Sequence, residues 1–357
     1  MVRLGAMGDV LRTLPAVCAL REAYPDAKIS WLVESRCAGV VALCPAVDEI
    51  RLFPREEWAR LLRGGRVLDF LSSLKALTKE LRAANFQMVL DFHGLLKSGF
   101  LMRLTGAPLR IGYAHPHARE YSWLFSNQRV KLPKQKESRF DRNQALVTHL
   151  GIDLTCSGPL IEVPEPAKLR LSPFVTEGRG PVLFHPGASE VASHKRWSPQ
   201  RFSSLARRVM TLTGTPCLVL SGPSAEEHEL QRQIVEGSGG AAAAAPPTPT
   251  LADLAALLSA GSLFVGADSG PLHMASLLGT PVLQLLGPTD PVQNEPWSAT
   301  PWHRAYVPQA CSPCRQGCAD VHCMEALSVD LVWDCLKRLG KENASWIEGE
   351  ALNEVRK

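Results

Sequence analysis

Leu263-Phe264-Val265-Gly266-Ala267-Asp268-Ser269-Gly270-Pro271-Leu272-His273-Met274-Ala275 decides the fold. Leu263-Phe264-Val265 is an apolar run that reads as a buried strand. The residues from Met274 read as a short helix closed by Gly279 at its C-terminus. Pro271 suits the first helical position, where a missing N–H costs nothing. The backbone N–H groups of Ser269, Gly270 and their neighbours then point out of a helix N-terminus, towards an anion. Asp268 stands at the carboxyl end of the strand, where open α/β sheets bind ligands. Its carboxylate can accept hydrogen bonds from sugar hydroxyls. A phosphate acceptor and a sugar acceptor side by side suit a nucleotide sugar.

The rest of the chain is consistent with that setting. At 357 residues it is too long for one core, so two domains are expected. It is 45% hydrophobic and 21% charged, an ordinary globular balance. No window of 18 residues is apolar enough to predict a membrane-spanning helix. The opening Met1-Val2-Arg3-Leu4-Gly5-Ala6-Met7-Gly8-Asp9 lacks the apolar core of a secretory signal. Ten cysteines without a disulfide-framework pattern point to a reducing cytoplasm. Charge is uneven. Residues 97–142 hold ten basic against three acidic residues, which suggests phosphates, sugar-acid carboxylates or an anionic membrane surface as partner.

Taken in order, short apolar runs alternate with helix-length segments. Strands are expected at 3–4, 28–33, 49–53, 88–92 and 110–113, with helices at 10–24, 38–43, 68–84, 95–104 and 139–150. The first strand is short, which would weaken its sheet at the centre. Residues 166–180 are rich in proline, glycine and charge and read as a linker. A second alternation follows: strands at 182–185, 217–221, 263–265 and 282–286, helices at 199–212, 225–235, 251–258 and 329–339. Ser198 is expected to cap the helix at 199, and Asp253 to close a capping box with Thr250. Residues 237–249 read as a loop. The predicted plan is therefore α/β with two Rossmann-like doubly wound domains: 1–165, the linker, 181–340, and a polar tail at 341–357.

Five stretches in this order carry a family resemblance: Met7-Gly8-Asp9-Val10-Leu11-Arg12, Asp91-Phe92-His93-Gly94-Leu95-Leu96-Lys97, His185-Pro186-Gly187-Ala188-Ser189 with Lys195-Arg196-Trp197, Asp268-Ser269-Gly270-Pro271-Leu272-His273, and Leu286-Gly287-Pro288-Thr289-Asp290. Over nearly its whole length the chain resembles glycosyltransferase family 9, the ADP-heptose:lipopolysaccharide heptosyltransferases, and its heptosyltransferase I branch in particular. The resemblance implies a GT-B architecture, two Rossmann-like domains facing across a cleft, with the acceptor on the first and the nucleotide sugar on the second. It implies inverting transfer of heptose from ADP-L-glycero-D-manno-heptose to a Kdo residue of lipid A–Kdo. The setting is the cytoplasmic face of the inner membrane, peripherally bound, with no nucleic-acid partner. Heptosyltransferase II or III chemistry, another nucleotide-sugar transferase, or a catalytically silent nucleotide-sugar-binding protein are the alternatives.

Inverting transfer needs one carboxylate to take the acceptor's hydroxyl proton, and by resemblance Asp9 is that base. A cation must neutralise the departing diphosphate. By resemblance this is Lys195, with His194 or Arg196 as neighbours able to substitute. Ala188 and Ser189 can offer phosphate a backbone N–H and a hydroxyl. By resemblance Glu226, or the adjacent Glu227, binds the nucleoside ribose, and Asp268, Ser269, Gly270 and His273 hold the donor. Lys97 and Arg119 lead the candidates for an anionic acceptor, among Arg110, Arg129, Lys131, Lys134 and Lys136. No second carboxylate stands at metal-binding spacing from Asp268, so no cofactor is expected for catalysis. Cys311, Cys314, Cys318 and Cys323 fall within 13 residues and suggest a structural zinc or iron site, with His322 as a further candidate ligand.

Overall fold

The computed structural model describes residues 1–133, 136–153, 156–172, 180–188, 190–214, 216–314, 318 and 321–342. Ser189, Lys134 and most of the polar tail therefore lie outside the described residues. The chain divides into two compact units, Met1–Glu162 and Val163–Lys357.

The first unit has parallel strands β1 (Ser30–Glu34) and β2 (Glu49–Phe53), and a second parallel set β3 (Met88–Leu90), β4 (Leu109–Tyr113) and β5 (Gln128–Val130). Residues 1–4 join the two sets. The Val2 N–H donates to Leu90 O at 2.9 Å, and the Phe92 N–H to Val2 O at 3.0 Å. On the other side the Leu32 N–H donates to Met1 O at 2.9 Å and the Glu34 N–H to Leu4 O at 3.0 Å. The short opening segment is thus the hydrogen-bonded centre of one continuous layer. Val2 and Leu4 are buried there with Leu32, Val89, Leu101 and Met102. Burial on both faces compensates for its brevity.

The second unit holds β6 (Val182–His185), β7 (Cys217–Val219), β8 (Ala242–Ala244), β9 (Leu263–Ala267), β10 (Val282–Leu286) and β11 (Trp302–Tyr306), all parallel, in the order β8-β7-β6-β9-β10-β11. Counting residues 1–4 as a strand, both units run 3-2-1-4-5-6, the doubly wound order of dinucleotide-binding sheets. The order reverses between residues 1–4 and β3 in the first unit, and between β6 and β9 in the second. Strands β6, β9 and β10 are buried throughout, as parallel strands covered on both faces require.

Several local expectations need correction. Residues 10–24 form two helices, Met7–Leu11 and Leu14–Ala23. Pro15 has no N–H to continue the ladder, and the Thr13 hydroxyl takes the Asp9 carbonyl instead at 2.9 Å. Part of the expected linker is a helix, Glu165–Leu171, fixed to the second unit by Arg170 Nη2 on Asp253 Oδ1 at 2.6 Å. The alanine-rich loop contains β8, which is small enough to pack at the sheet edge. Ser198 occupies the N-cap position but its hydroxyl donates to Gln200 rather than capping. Thr250 and Asp253 do form the capping box. The decisive helix is Gly270–Leu277, so Pro271 sits second, and Gly279 follows at φ +84°.

Candidate active site

Each unit gathers its candidate side chains at the carboxyl end of its sheet, at the point where strand order reverses. In the second unit Asp268 leaves β9 buried, with 8% of its surface exposed. Its Oδ2 accepts from Lys195 Nζ at 3.0 Å and from the Thr289 hydroxyl at 3.1 Å. Its Oδ1 lies 3.1 Å from His273 Nε2. Lys195 arrives from the 3₁₀ segment Glu190–Lys195, His273 from the first turns of Gly270–Leu277, and Thr289 from the turn after β10. Three segments therefore converge on one carboxylate. The Ser269 hydroxyl is buried there without a hydrogen-bond partner among the described residues. Beside it lies the N-terminus of the helix beginning at Gly270, which supplies partial positive charge.

The β6 turn lies across the reversal. Arg196 donates to the Ala188 carbonyl at 3.0 Å and grips both oxygens of Glu226, which is 56% exposed. Glu227 takes the inner position. A Cβ placed on Gly187 or Gly222 would run into its carboxylate, so in this position the carboxylate packs against both glycines. The Ser224 hydroxyl accepts from the Glu227 N–H at 3.2 Å and caps the helix Ala225–Gly237. Of the two adjacent glutamates, the inner one is thus Glu227.

His185 ends β6 with its ring stacked on Phe264 at 6.1 Å between centroids, and its Nδ1 is buried without a partner among the described residues. Burial lowers its pKa to about 4. His93, whose Nδ1 accepts from the Leu4 N–H at 3.3 Å, is lowered to about 3 by burial, reinforced by the charges of Arg3 and Lys97. Both folded-state values lie below the ordinary imidazole value, so the unfolded chain binds protons first as pH falls. Stability is full above pH ~6.5 and declines towards the folded values, by about 1–2 kcal/mol per histidine at pH 5. Urea unfolding between pH 7 and 5 checks this. His185→Gln is expected to flatten the decline, and an unchanged slope would contradict it.

In the first unit Asp9 sits in the first turn of Met7–Leu11 among three guanidiniums. Arg3 Nη2 is 2.5 Å from Oδ2, Arg139 Nη1 2.6 Å from Oδ1, and Arg12 Nη1 3.3 Å from Oδ1. Burial acts to raise its pKa but is outweighed by Arg3, Arg139 and Arg12, which hold it well below the usual carboxylate range. Beside Gly5, Glu34 is 3% exposed and draws in Arg36 at 2.9 Å, Arg55 at 3.1 Å and Lys97 at 3.4 Å. Asp91 is buried and accepts from the N–H groups of His93 and Gly94 and from Ser98 Oγ at 2.9 Å, fixing the turn that delivers Lys97. Gly94 needs its φ of +69° there, with Arg142 and Tyr113 against it. Arg119 is exposed, and its N–H donates to Gly94 O at 2.9 Å.

In the first unit Lys97 is held by Glu34 and Asp9 by Arg3, Arg12 and Arg139, while in the second Ala188, Lys195, Asp268 and His273 gather at one sheet end. Sequence reasoning missed Arg3, Arg12, Arg139 and Glu34. Arg12 is three residues from Asp9 and had a local signal. Arg139 is 130 residues away and had none.

Cys311, Cys314, Cys318 and Cys323 line one small cavity with His194 and Pro288. The thiol set suits a soft or borderline ion. Among the described residues, however, no three His, Cys, Asp or Glu side chains are grouped closely enough to hold a metal ion. The loop instead packs on the turn after β10, through the Cys314 N–H to Pro288 O at 2.6 Å and the Ser312 hydroxyl to Gly287 O at 3.3 Å. It therefore supports the turn that carries Thr289. No helix among the described residues is long and apolar enough to cross a membrane.

Comparison with known proteins agrees with this geometry. The family model for glycosyltransferase family 9 (heptosyltransferase) matches residues 74–323. Lipopolysaccharide heptosyltransferase 3 of Escherichia coli is 25% identical over 300 residues, covering 82% of this chain and 84% of that protein. Lipopolysaccharide heptosyltransferase 1 of E. coli K12 is 25% identical over 293 residues, covering 82% and 88%. The solved structure of E. coli heptosyltransferase WaaC with ADP superposes with a TM-score of 0.75 at 24% identity, over 95% of this chain and 98% of that one. The fold is accordingly the GT-B fold of those enzymes, and the chain belongs to glycosyltransferase family 9, the heptosyltransferases.

Proposed function

We propose that this glycosyltransferase moves L-glycero-D-manno-heptose from ADP-heptose to a Kdo residue of the lipopolysaccharide inner core, with inversion, at the cytoplasmic face of the inner membrane. The observation that carries the reading is the convergence of Lys195, His273 and Thr289 on Asp268 beside a helix N-terminus. That set offers both a carboxylate for sugar hydroxyls and positive charge for a diphosphate. Relatives named lipopolysaccharide heptosyltransferase 1 and 3, and a solved neighbour holding ADP, support the choice of donor.

In the reaction the acceptor oxygen attacks the anomeric carbon as its proton passes to Asp9. The bond from that carbon to the diphosphate oxygen breaks, and ADP leaves carrying the electron pair. Lys195 and the N–H groups at the start of Gly270–Leu277 neutralise the growing charge in place of a divalent cation. A metal at the cysteine loop would be structural and enters no step.

Asp9 as held here is a poor proton acceptor, because three cations stabilise its ionised form. Arg139 is the most exposed of the three, at 36% against 10% for Arg3 and 3% for Arg12. An anionic acceptor can claim it by a bidentate contact and so restore the basicity of Asp9.

Glu227, rather than Glu226, is assigned to the ribose. Gly222→Ala is expected to displace its carboxylate and weaken ADP binding about tenfold, or ~1.4 kcal/mol, by calorimetry. Unchanged affinity would remove Glu227 from the site. The overall reading is tested by mass spectrometry of products from a panel of nucleotide sugars with Kdo-terminated and heptose-terminated lipid A. Heptose addition from ADP-heptose to the Kdo terminus alone is expected, also in the presence of EDTA. Addition to the heptose terminus only would make the acceptor that of a heptosyltransferase II or III.

A further inference from the structure

The helices Arg55–Arg63 and Val67–Ala83 form an antiparallel pair whose tip is apolar and basic. Their inner faces are satisfied. Trp58 packs edge-on to Phe53 and Phe70, each at 5.2 Å, and Leu61, Leu77 and Leu81 are buried in the first unit. The tip is different. Residues 62–69 are all exposed, and they carry Leu62, Val67 and Leu68, with Leu71 one turn on. Leu68 is 82% exposed. Such a cluster is not explained by its own core, since the helices that bear it already bury another face. Arg63 and Arg66 flank the leucines. Arg66 is paired with Asp69 at 2.8 Å, while the Arg63 Nε donates to the Ala59 carbonyl at 3.1 Å.

We infer that this tip docks on the surface of an anionic phospholipid bilayer, with Leu62, Val67 and Leu68 entering the headgroup boundary and Arg63 and Arg66 meeting lipid phosphates. Apolar side chains next to arginines on an exposed helical tip match such a surface in both hydrophobicity and charge. A second copy of the chain fits less well, because a two-fold pairing of this tip would set its arginines against one another. The inference rests on the proposed lipid-borne acceptor for its purpose, but the binding itself needs neither donor nor acceptor sugar. Failure of the heptosyl-transfer reading and failure of this one are therefore distinguishable.

The test is sedimentation of the full chain with vesicles of phosphatidylcholine alone or with roughly 30 mol % phosphatidylglycerol. The protein is expected to sediment with the anionic vesicles and to be released by high salt. Leu62→Ser/Val67→Ser/Leu68→Ser and, separately, Arg63→Glu/Arg66→Glu are each expected to weaken that binding at least about tenfold. Both variants should keep the thermal melting profile and the ADP affinity of the parent, which shows that the fold survives. Undiminished vesicle binding by both variants would overturn the inference. So would a parent dimer that the serine variant dissociates while vesicle binding stays unchanged, since a second copy would then be the occupant.

Discussion

Asp9→Asn is expected to lower kcat for heptosyl transfer about 1,000-fold while leaving ADP affinity within a factor of two. Asparagine keeps the size and one of the two oxygens that Arg3 and Arg139 contact, at 2.5 Å on Oδ2 and 2.6 Å on Oδ1, but it cannot take the acceptor proton. The asymmetry between kcat and ADP binding is the informative part. Asp9 belongs to the first unit, whereas every residue assigned to the nucleotide belongs to the second. Near-normal turnover would remove Asp9 as the base. Removing a charge from among three arginines also affects folding, so the melting temperature must be measured alongside. A companion change gives a readout that mere structural damage would not. Arg139→Gln removes one of the charges that hold the Asp9 pKa down, so that pKa should rise towards the ordinary carboxylate range. The acid limb of the kcat/KM–pH profile, which reports the free enzyme, should then move to higher pH. A limb that stays in place would separate Arg139 from the titration of Asp9.

Lys195→Ala is expected to reduce kcat by about 100- to 1,000-fold, the scale of losing one charge-stabilising group on a leaving oxyanion. Asp268 would keep its Thr289 and His273 contacts, at 3.1 Å each, so the pocket should stay formed. The defect should therefore fall more on turnover than on KM for the donor. Lys195→Arg should recover part of the rate, because it restores charge with a different reach. A donor with a better leaving group should narrow the gap between variant and parent. A loss confined to KM would instead make Lys195 a ground-state contact.

The architecture was legible wherever one residue or one period carried it. The apolar run at 263–265, Asp268 and the helix that follows could be read directly, because strand, turn and helix signals are all local there. The alternation of strands and helices announced two doubly wound units. Residues 1–4 were legible as a short strand at the centre of its sheet, but not the bonding to Leu32 and Leu90 on either side that holds it there. β8 was hidden because three alanines carry little strand signal and an edge position demands little of them. Of the candidate site, the grouping of Lys195 and His273 with Asp268 was legible, because those motifs lie within a few residues of their strands. Less was legible around Asp9. The cage of Arg3, Arg12 and Arg139 spans the whole first unit, and pairings between distant charges leave no pattern in a single sequence. That Glu227 rather than Glu226 lies inward likewise depends on the approach of Gly187 and Gly222, which only tertiary packing reveals.

The central claim is a single displacement at the anomeric carbon of ADP-heptose, driven by one base. The most direct measurement is the anomeric configuration, by NMR, of the heptose that the full-length protein attaches to a Kdo-terminated acceptor. The account predicts a new heptosyl–Kdo linkage with configuration opposite to that in the donor. A linkage with retained configuration, or no linkage when donor and acceptor are both present, would contradict it.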